Sequence, residues 1–150
     1  MALWRNQPNT YRHSGFIDIP EGEHRVRICG VQVERFSGNR KCFEITLEVS
    51  GYHGKLWYHL WYDPEKIDEW EKHSDSFFYS FGIEDHDISQ CRKWVGSSGA
   101  VSVGYKYYDY ECEAKYIHCL YGTRKDRLPP WKDAPYEVDL FKPRLVSSKI

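Results

Sequence analysis

A chain of 150 residues with a formal net charge of -1, in which 21 Lys and Arg face 22 Asp and Glu, is long enough for one domain with a real core. It is too apolar for long disorder, and its charge excludes a wholly basic coat, so any polyanion site is a local patch. The aromatic content is the anomaly. Six Trp, 12 Tyr and 7 Phe make 17% of the chain, more than a core of this size needs, so some rings are expected at the surface as an interaction face.

Residues 1–20 are polar with scattered aromatics and read as an N-terminal arm. A strand pattern begins near His24, with Val26 and Ile28 on one face. After Cys29-Gly30 the apolar residues Val31 and Val33 take the opposite parity, the signature of a β-bulge that bends a long first strand. Ser37-Gly38-Asn39 turns the chain. A second strand alternates Phe43, Ile45, Leu47 and Val49 inward against Glu44, Thr46 and Glu48 outward. A third, Lys55 to Tyr62, puts Leu56, Tyr58, Leu60 and Tyr62 inward and Trp57, His59 and Trp61 outward.

Asp63-Pro64-Glu65 is a helix start, with a capping Asp and Pro at the first helical position. Ile67, Trp70, Ser74, Phe77, Phe78 and Phe81 share one side at helical spacing, and Gly82 closes it. Asp87 to Val95 reads as a second short helix. A fourth strand from Ala100 to Tyr108 presents Val101, Val103, Tyr105 and Tyr107 on one face. A fifth, Cys112 to Tyr121, is expected to turn Ala114, Tyr116, His118 and Leu120 inward, against Lys115 and Ile117. After Gly122 a basic tail follows, and the periodicity ends. The expected organisation is an arm (1–20), a barrel domain (21–122) and a C-terminal extension (123–150). Three strands, a helix and two more strands, with a bulged first strand, fit a mainly β fold: a five-stranded OB-type barrel with the helix between strands three and four. A β-sandwich with a helix across it is the competing arrangement.

The sequence offers no nucleophile elbow, phosphate loop or zinc-protease helix. Seven His are scattered without metal spacing, and Glu84-Asp85-His86-Asp87 suits helix capping better than a metal loop. A non-enzyme without metal or cofactor is expected. Binding has better support, since single-stranded nucleic acid needs cations along its phosphates and flat rings for its bases. Arg25, Arg27, Arg35, Arg40, Lys41 and Lys55 gather on the first three strands with Phe36, Trp57 and Trp61, and the second hairpin adds Lys106, Tyr108, Tyr110 and Lys115. Burial under the arm or at a homodimer interface is the competing use of Trp57 and Trp61. Outward Glu44 and Glu48 oppose a phosphate backbone.

No apolar run approaches the roughly 18 residues of a membrane span, and the N-terminus lacks the apolar stretch of a signal peptide. Five Cys, an odd set with no Cys-x-x-Cys pair, read as reduced thiols. A cytoplasmic protein is expected.

The run Ile19-Pro20-Glu21-Gly22-Glu23-His24-Arg25-Val26-Arg27-Ile28 resembles the opening of a phage and prophage family. Glu44-Ile45-Thr46-Leu47-Glu48-Val49-Ser50-Gly51, Gly54-Lys55-Leu56-Trp57-Tyr58, Phe81-Gly82-Ile83, Trp94-Val95-Gly96 and Leu128-Pro129-Pro130-Trp131-Lys132 continue the likeness across about residues 16–133. Members are small OB-like proteins regarded as single-stranded-DNA-binding. The resemblance implies a role in replication or recombination in a bacterial host cell, with single-stranded DNA as partner. The end of the chain departs from such binders, being basic and apolar (Lys142 to Ile150) where they carry an acidic tail. The Tyr-rich run from Tyr105 to Tyr110 departs as well. A barrel that serves instead as an inhibitor of a host defence nuclease or CRISPR effector, with a protein partner, is the alternative.

Overall fold

Why one strand should be 15 residues long and bent becomes clear from its two partners. The computed structural model describes residues 19–108 and 111–135, and within these the side chains of 106–108 and 111–115 are not described. Strand β1 (Gly22–Phe36) gives its first half to β4 (Ser98–Tyr108), pairing Gly22 with Val103 through Arg27 with Ser98. Its second half pairs with β2 (Arg40–Val49), from Val26 with Val49 to Phe36 with Arg40. The register shifts between Ile28 and Gly30, where β1 passes from one partner to the other. The extra residue, Cys29, is exposed, while Val26 and Ile28 before it and Val31 and Val33 after it all pack toward the core. The expected bulge is present and bends the sheet there.

β2 pairs with β3 (Lys55–Tyr62) and β4 with β5 (Glu111–Leu120), giving one antiparallel sheet in the order β3-β2-β1-β4-β5. The sheet curls into a half-barrel that brings its two outer strands into reach of each other. The Tyr58 hydroxyl on β3 hydrogen-bonds the Cys119 thiol on β5. Helix α1 (Ile67–Phe81) lies between β3 and β4 in sequence and packs against β3, β4 and β5. Its entry is the expected one: Pro64 opens a 3-10 turn whose Glu65 amide donates to Asp63 Oδ1 at 2.9 Å. Gly82 ends it at φ 63°, a left-handed conformation that costs a glycine nothing.

The core is built around Phe77, fully buried, whose ring meets those of Phe78, Phe81 and Trp94 at 5.1–5.4 Å. Ser80 ties the helix to β4, its Oγ donating to the Ala100 carbonyl at 3.0 Å and accepting from the Ala100 amide at 3.1 Å. Gly99 is needed because the buried Phe81 ring lies where a Cβ would be, at 2.7–2.8 Å.

Two expectations are corrected, those for Ile67 and for the facing of β5. Ile67, expected on the apolar side of the helix, is exposed, because α1 meets the sheet only from its second turn onward. The second short helix is a 3-10 helix (Ile88–Trp94), capped by the Asp87 carboxylate on the Ser89 amide and hydroxyl. On β5 Ile117 and Cys119 pack on the core while Tyr116 and His118 point outward, opposite to the alternation read from the sequence, although Leu120 is buried as expected. A second register shift accompanies this: Gly104 pairs with Tyr116 but the next residue, Tyr105, pairs with Ala114, which leaves Lys115 as an extra residue in β5, and the Tyr116 ring lies over Gly104 where a Cβ would be. Beyond Gly122 the chain forms a helical turn (Thr123–Asp126), and residues 128–135 are tied back across β1 and the β2–β3 connection.

Candidate nucleic-acid interface

The tip of the β1–β2 hairpin gathers the residues that the sequence singled out at Arg35, Phe36, Arg40, Lys41 and Trp61. Phe36 ends β1 and Arg40 begins β2, directly opposite each other, and Trp61 enters the same outward face from β3 through its partner Cys42. The Phe36 and Trp61 rings meet at 5.5 Å between centroids with a 35° tilt. Both are exposed, Phe36 by 36% and Trp61 by 48%. The Arg40 guanidinium stands 6.0 Å above the Phe36 ring and its Nε donates to the Ser37 carbonyl at 3.0 Å, so the cation is held beside the ring pair. Lys41, across from Arg35 in the register, places its ammonium 5.8 Å over Tyr62. Two accessible, tilted rings with the Arg40 guanidinium beside them present a face for flat π-systems with phosphates attached, while Arg35 and Lys41, in the row of Tyr62, lie at the opposite parity on the other face of the sheet.

The rest of the outward face is more acidic. The register sets Glu34 in the row of Cys42 and Trp61, Gln32 and Glu44 in that of His59, and Arg27 and Glu48 in that of Lys55. His59 Nε2 lies 3.3 Å from Glu44 Oε2, and Arg27 lies 3.9 Å from Glu48. Trp57 shares parity with Trp61 but is half-buried, in the row of Thr46 and Gly30. Lys55 is exposed at the far end of β3 from the ring pair.

Two of the sequence candidates are engaged within the fold. Arg25 donates to three backbone carbonyls: Pro129 at 2.6 Å, Leu128 at 2.9 Å and Lys125 at 3.3 Å. Arg27 stacks on Trp131 at 3.9 Å. Together with the Gly51 amide on Lys132 O, the Lys132 amide on Ser50 Oγ and a hydrogen bond between His53 and the Pro135 carbonyl, they hold the segment 128–135 against the barrel. Tyr110 lies outside the described residues, as do the side chains of Lys106, Tyr108 and Lys115.

A groove of about 1010 Å³, which sequence reading missed, runs beside the ring pair between β3, β5 and α1. Arg40, Trp61 and Tyr62 form one end, and Lys66, Lys72 and Arg124 line its sides. Its β5 wall includes Tyr116, 45% exposed, and Tyr121, whose ring pairs with exposed Tyr79 at 5.8 Å. One signal was available: Lys66, Glu69, Lys72, His73 and Ser76 recur at helical spacing as a polar stripe opposite the buried face of α1. At the floor, burial pushes the Cys119 thiol up to about 12 and the Tyr58 hydroxyl well above its ordinary range, so both stay protonated there. Among the described residues no three or more His, Cys, Asp or Glu come together in a way that would hold a metal, and no helix is long and apolar enough to cross a membrane.

Neither a protein-family model nor a curated protein sequence matches the chain. Function therefore has to be argued from the surface itself.

Proposed function

We propose that the chain is a non-catalytic single-stranded-DNA-binding protein of the phage type, acting in replication or recombination on a five-stranded OB-type barrel. One observation carries the reading: the exposed Phe36–Trp61 pair with the Arg40 guanidinium held beside it. Bases stack on such rings whatever their sequence, each stacked base contributing about 1–3 kcal/mol, while the cations follow the backbone. The strand order, the bulge at Cys29 and the helix between β3 and β4 support the barrel type, in which the β2–β3 face and flanking loops take oligonucleotides. The resemblance of residues 16–133 to the phage family points the same way.

Titration with single-stranded and duplex oligonucleotides, followed by Trp fluorescence, tests the proposal. Each cation that contacts a phosphate, Arg40 first, makes log affinity fall by about 0.7 per log unit of salt. Duplex binds more weakly because its bases do not reach the rings. Binding that ignores salt, or equal affinity for duplex, would overturn it. A second reading rests on Glu34, Glu44 and Glu48, which give the outward face phosphate-like charge suited to the basic cleft of a host defence nuclease. It requires a protein partner in place of DNA.

A further inference from the structure

Resting on the single-strand reading, we infer that the groove between β3, β5 and α1 is a second segment of the same binding path, one that takes the strand onward from the Phe36–Trp61 pair. The groove is continuous with that pair, since Trp61 and the Arg40 beside it belong to both. Its charge is complementary to a polyanion. Arg40, Lys66, Lys72 and Arg124 line it against the carboxylates of Asp63 and Glu69. Asp63 is already engaged, accepting the Glu65 amide at 2.9 Å. Arg124 is partly committed to Glu23 at 3.1 Å, whereas Lys66 and Lys72 make no ion pair among the described residues. These two lysines are therefore the groove's available phosphate contacts.

The walls suit bases. Tyr116 on β5 and Tyr121 just past its end are both about half exposed, five residues apart and so up to roughly 17 Å of extended chain. That span holds several nucleotides rather than one. The volume, about 1010 Å³, stands at the top of the roughly 300–1,000 Å³ of small-molecule pockets and agrees with an open channel for a chain. β3 and β5 are the two ends of the sheet order, so each presents an edge with backbone donors and acceptors toward the groove. Such an edge offers base edges a hydrogen-bonding surface without sequence preference. A peptide strand added to either edge would find those same groups, but the lysines favour the polyanion.

The test uses the full chain and an oligothymidine of about twelve nucleotides, within the roughly 4–16 that one OB fold covers. Lys66→Ala combined with Lys72→Ala removes two exposed side chains and leaves the folded core untouched, as circular dichroism will check. At about 0.7 per phosphate contact, the salt slope is expected to fall by about 1.4, and affinity at about 0.1 M salt to drop about 25-fold. The quenching of tryptophan at saturation should persist, because the ring pair at the hairpin tip is still occupied. Unchanged slope and affinity in the double variant, with the wild type binding normally, overturn the groove path and leave the hairpin site standing. A wild type that binds no single strand overturns both. A dimer in sedimentation that dissolves on the same substitutions assigns the groove to a second copy and likewise overturns the proposal.

Discussion

Arg25 lies among the basic residues of β1, yet its guanidinium is turned toward three carbonyls of the chain's own later segment. Replacing it by Ala separates the two roles a cation on this strand could have. Hydrogen bonds from a charged donor contribute about 1.5–3 kcal/mol each, but they are not additive at one side chain, and the bond to Lys125 is long at 3.3 Å. Partial solvent access lowers the total further, to about 2–3 kcal/mol for anchoring residues 128–135. The backbone of Arg25 stays in the sheet, its carbonyl accepting from the Ser50 amide at 2.9 Å, so the loss is local. Hydrogen exchange followed by mass spectrometry then shows the amides of Gly51 and Lys132, which bond across this contact, exchanging about 30–150-fold faster, at about 1.4 kcal/mol per factor of ten. Trypsin is expected to cut sooner at Arg127 and Lys132, while the core amides of β1 and β2 keep their protection. If instead exchange is unchanged and the salt slope for single strands falls, Arg25 is a phosphate contact and the anchoring role is refuted.

Close packing gives a paired prediction. Gly99→Ala drives a methyl into the buried Phe81 ring and costs about 1–3 kcal/mol in denaturant melts, whereas Gly104→Ala meets only the outer end of exposed Tyr116 and costs less. Equal losses would place Tyr116 as firmly as Phe81. Ser80→Ala strands the Ala100 amide and carbonyl inside the protein and lowers stability by about 2–3 kcal/mol; a loss below about 0.5 kcal/mol would show that this pair of hydrogen bonds is not formed. The Cys119 thiol, raised from its ordinary 9.0 to about 12 in the fold, contributes stability that is full below pH 9 and is lost as pH rises from 9 to 12, because the unfolded chain releases that proton first. Cys119→Ser should make this alkaline limb shallower, the part due to the raised Tyr58 hydroxyl remaining, and exposed Cys29 should alkylate well before Cys42, Cys91 or Cys119 in the native protein. An alkaline limb of unchanged depth in the Ser variant would refute the assignment.

The legible parts of this sequence were those written in local patterns. The parity change from Val26 and Ile28 to Val31 and Val33 announced the bulge, and Asp63-Pro64 with Gly82 bracketed the helix. The clustering of Phe36, Arg40 and Trp61 also followed from strand register once the turn at Ser37-Gly38-Asn39 was placed. Three features were not legible, each for a physical reason. The facing of β5 was ambiguous because Tyr116 and Leu120 offer as much apolar surface as Ile117 and Cys119, and what turns Tyr116 outward is one extra residue, Lys115, whose place shows only in the pairing with Gly104 and Tyr105 of β4. The engagement of Arg25 and Arg27 depends on backbone carbonyls and a Trp a hundred residues away, which leave no mark near the arginines. The groove exists only because the curled sheet brings β3 and β5 within reach of α1, a consequence of closure rather than of any one segment.

The central claim, that the ring pair at the hairpin tip is a stacking platform, is tested most directly by Trp61→Ala measured for affinity and stability together. Trp61 keeps 48% of its surface in solvent and its main ring neighbour is the equally accessible Phe36, so the folded state loses only about 1–2 kcal/mol on truncation. Single-strand affinity is predicted to fall by about 1–3 kcal/mol, roughly 5–150-fold, with the salt slope unchanged because Arg40 remains. Undiminished affinity in a folded Trp61→Ala protein contradicts the account, as does a stability loss of about 3–5 kcal/mol, which would make the ring part of the core.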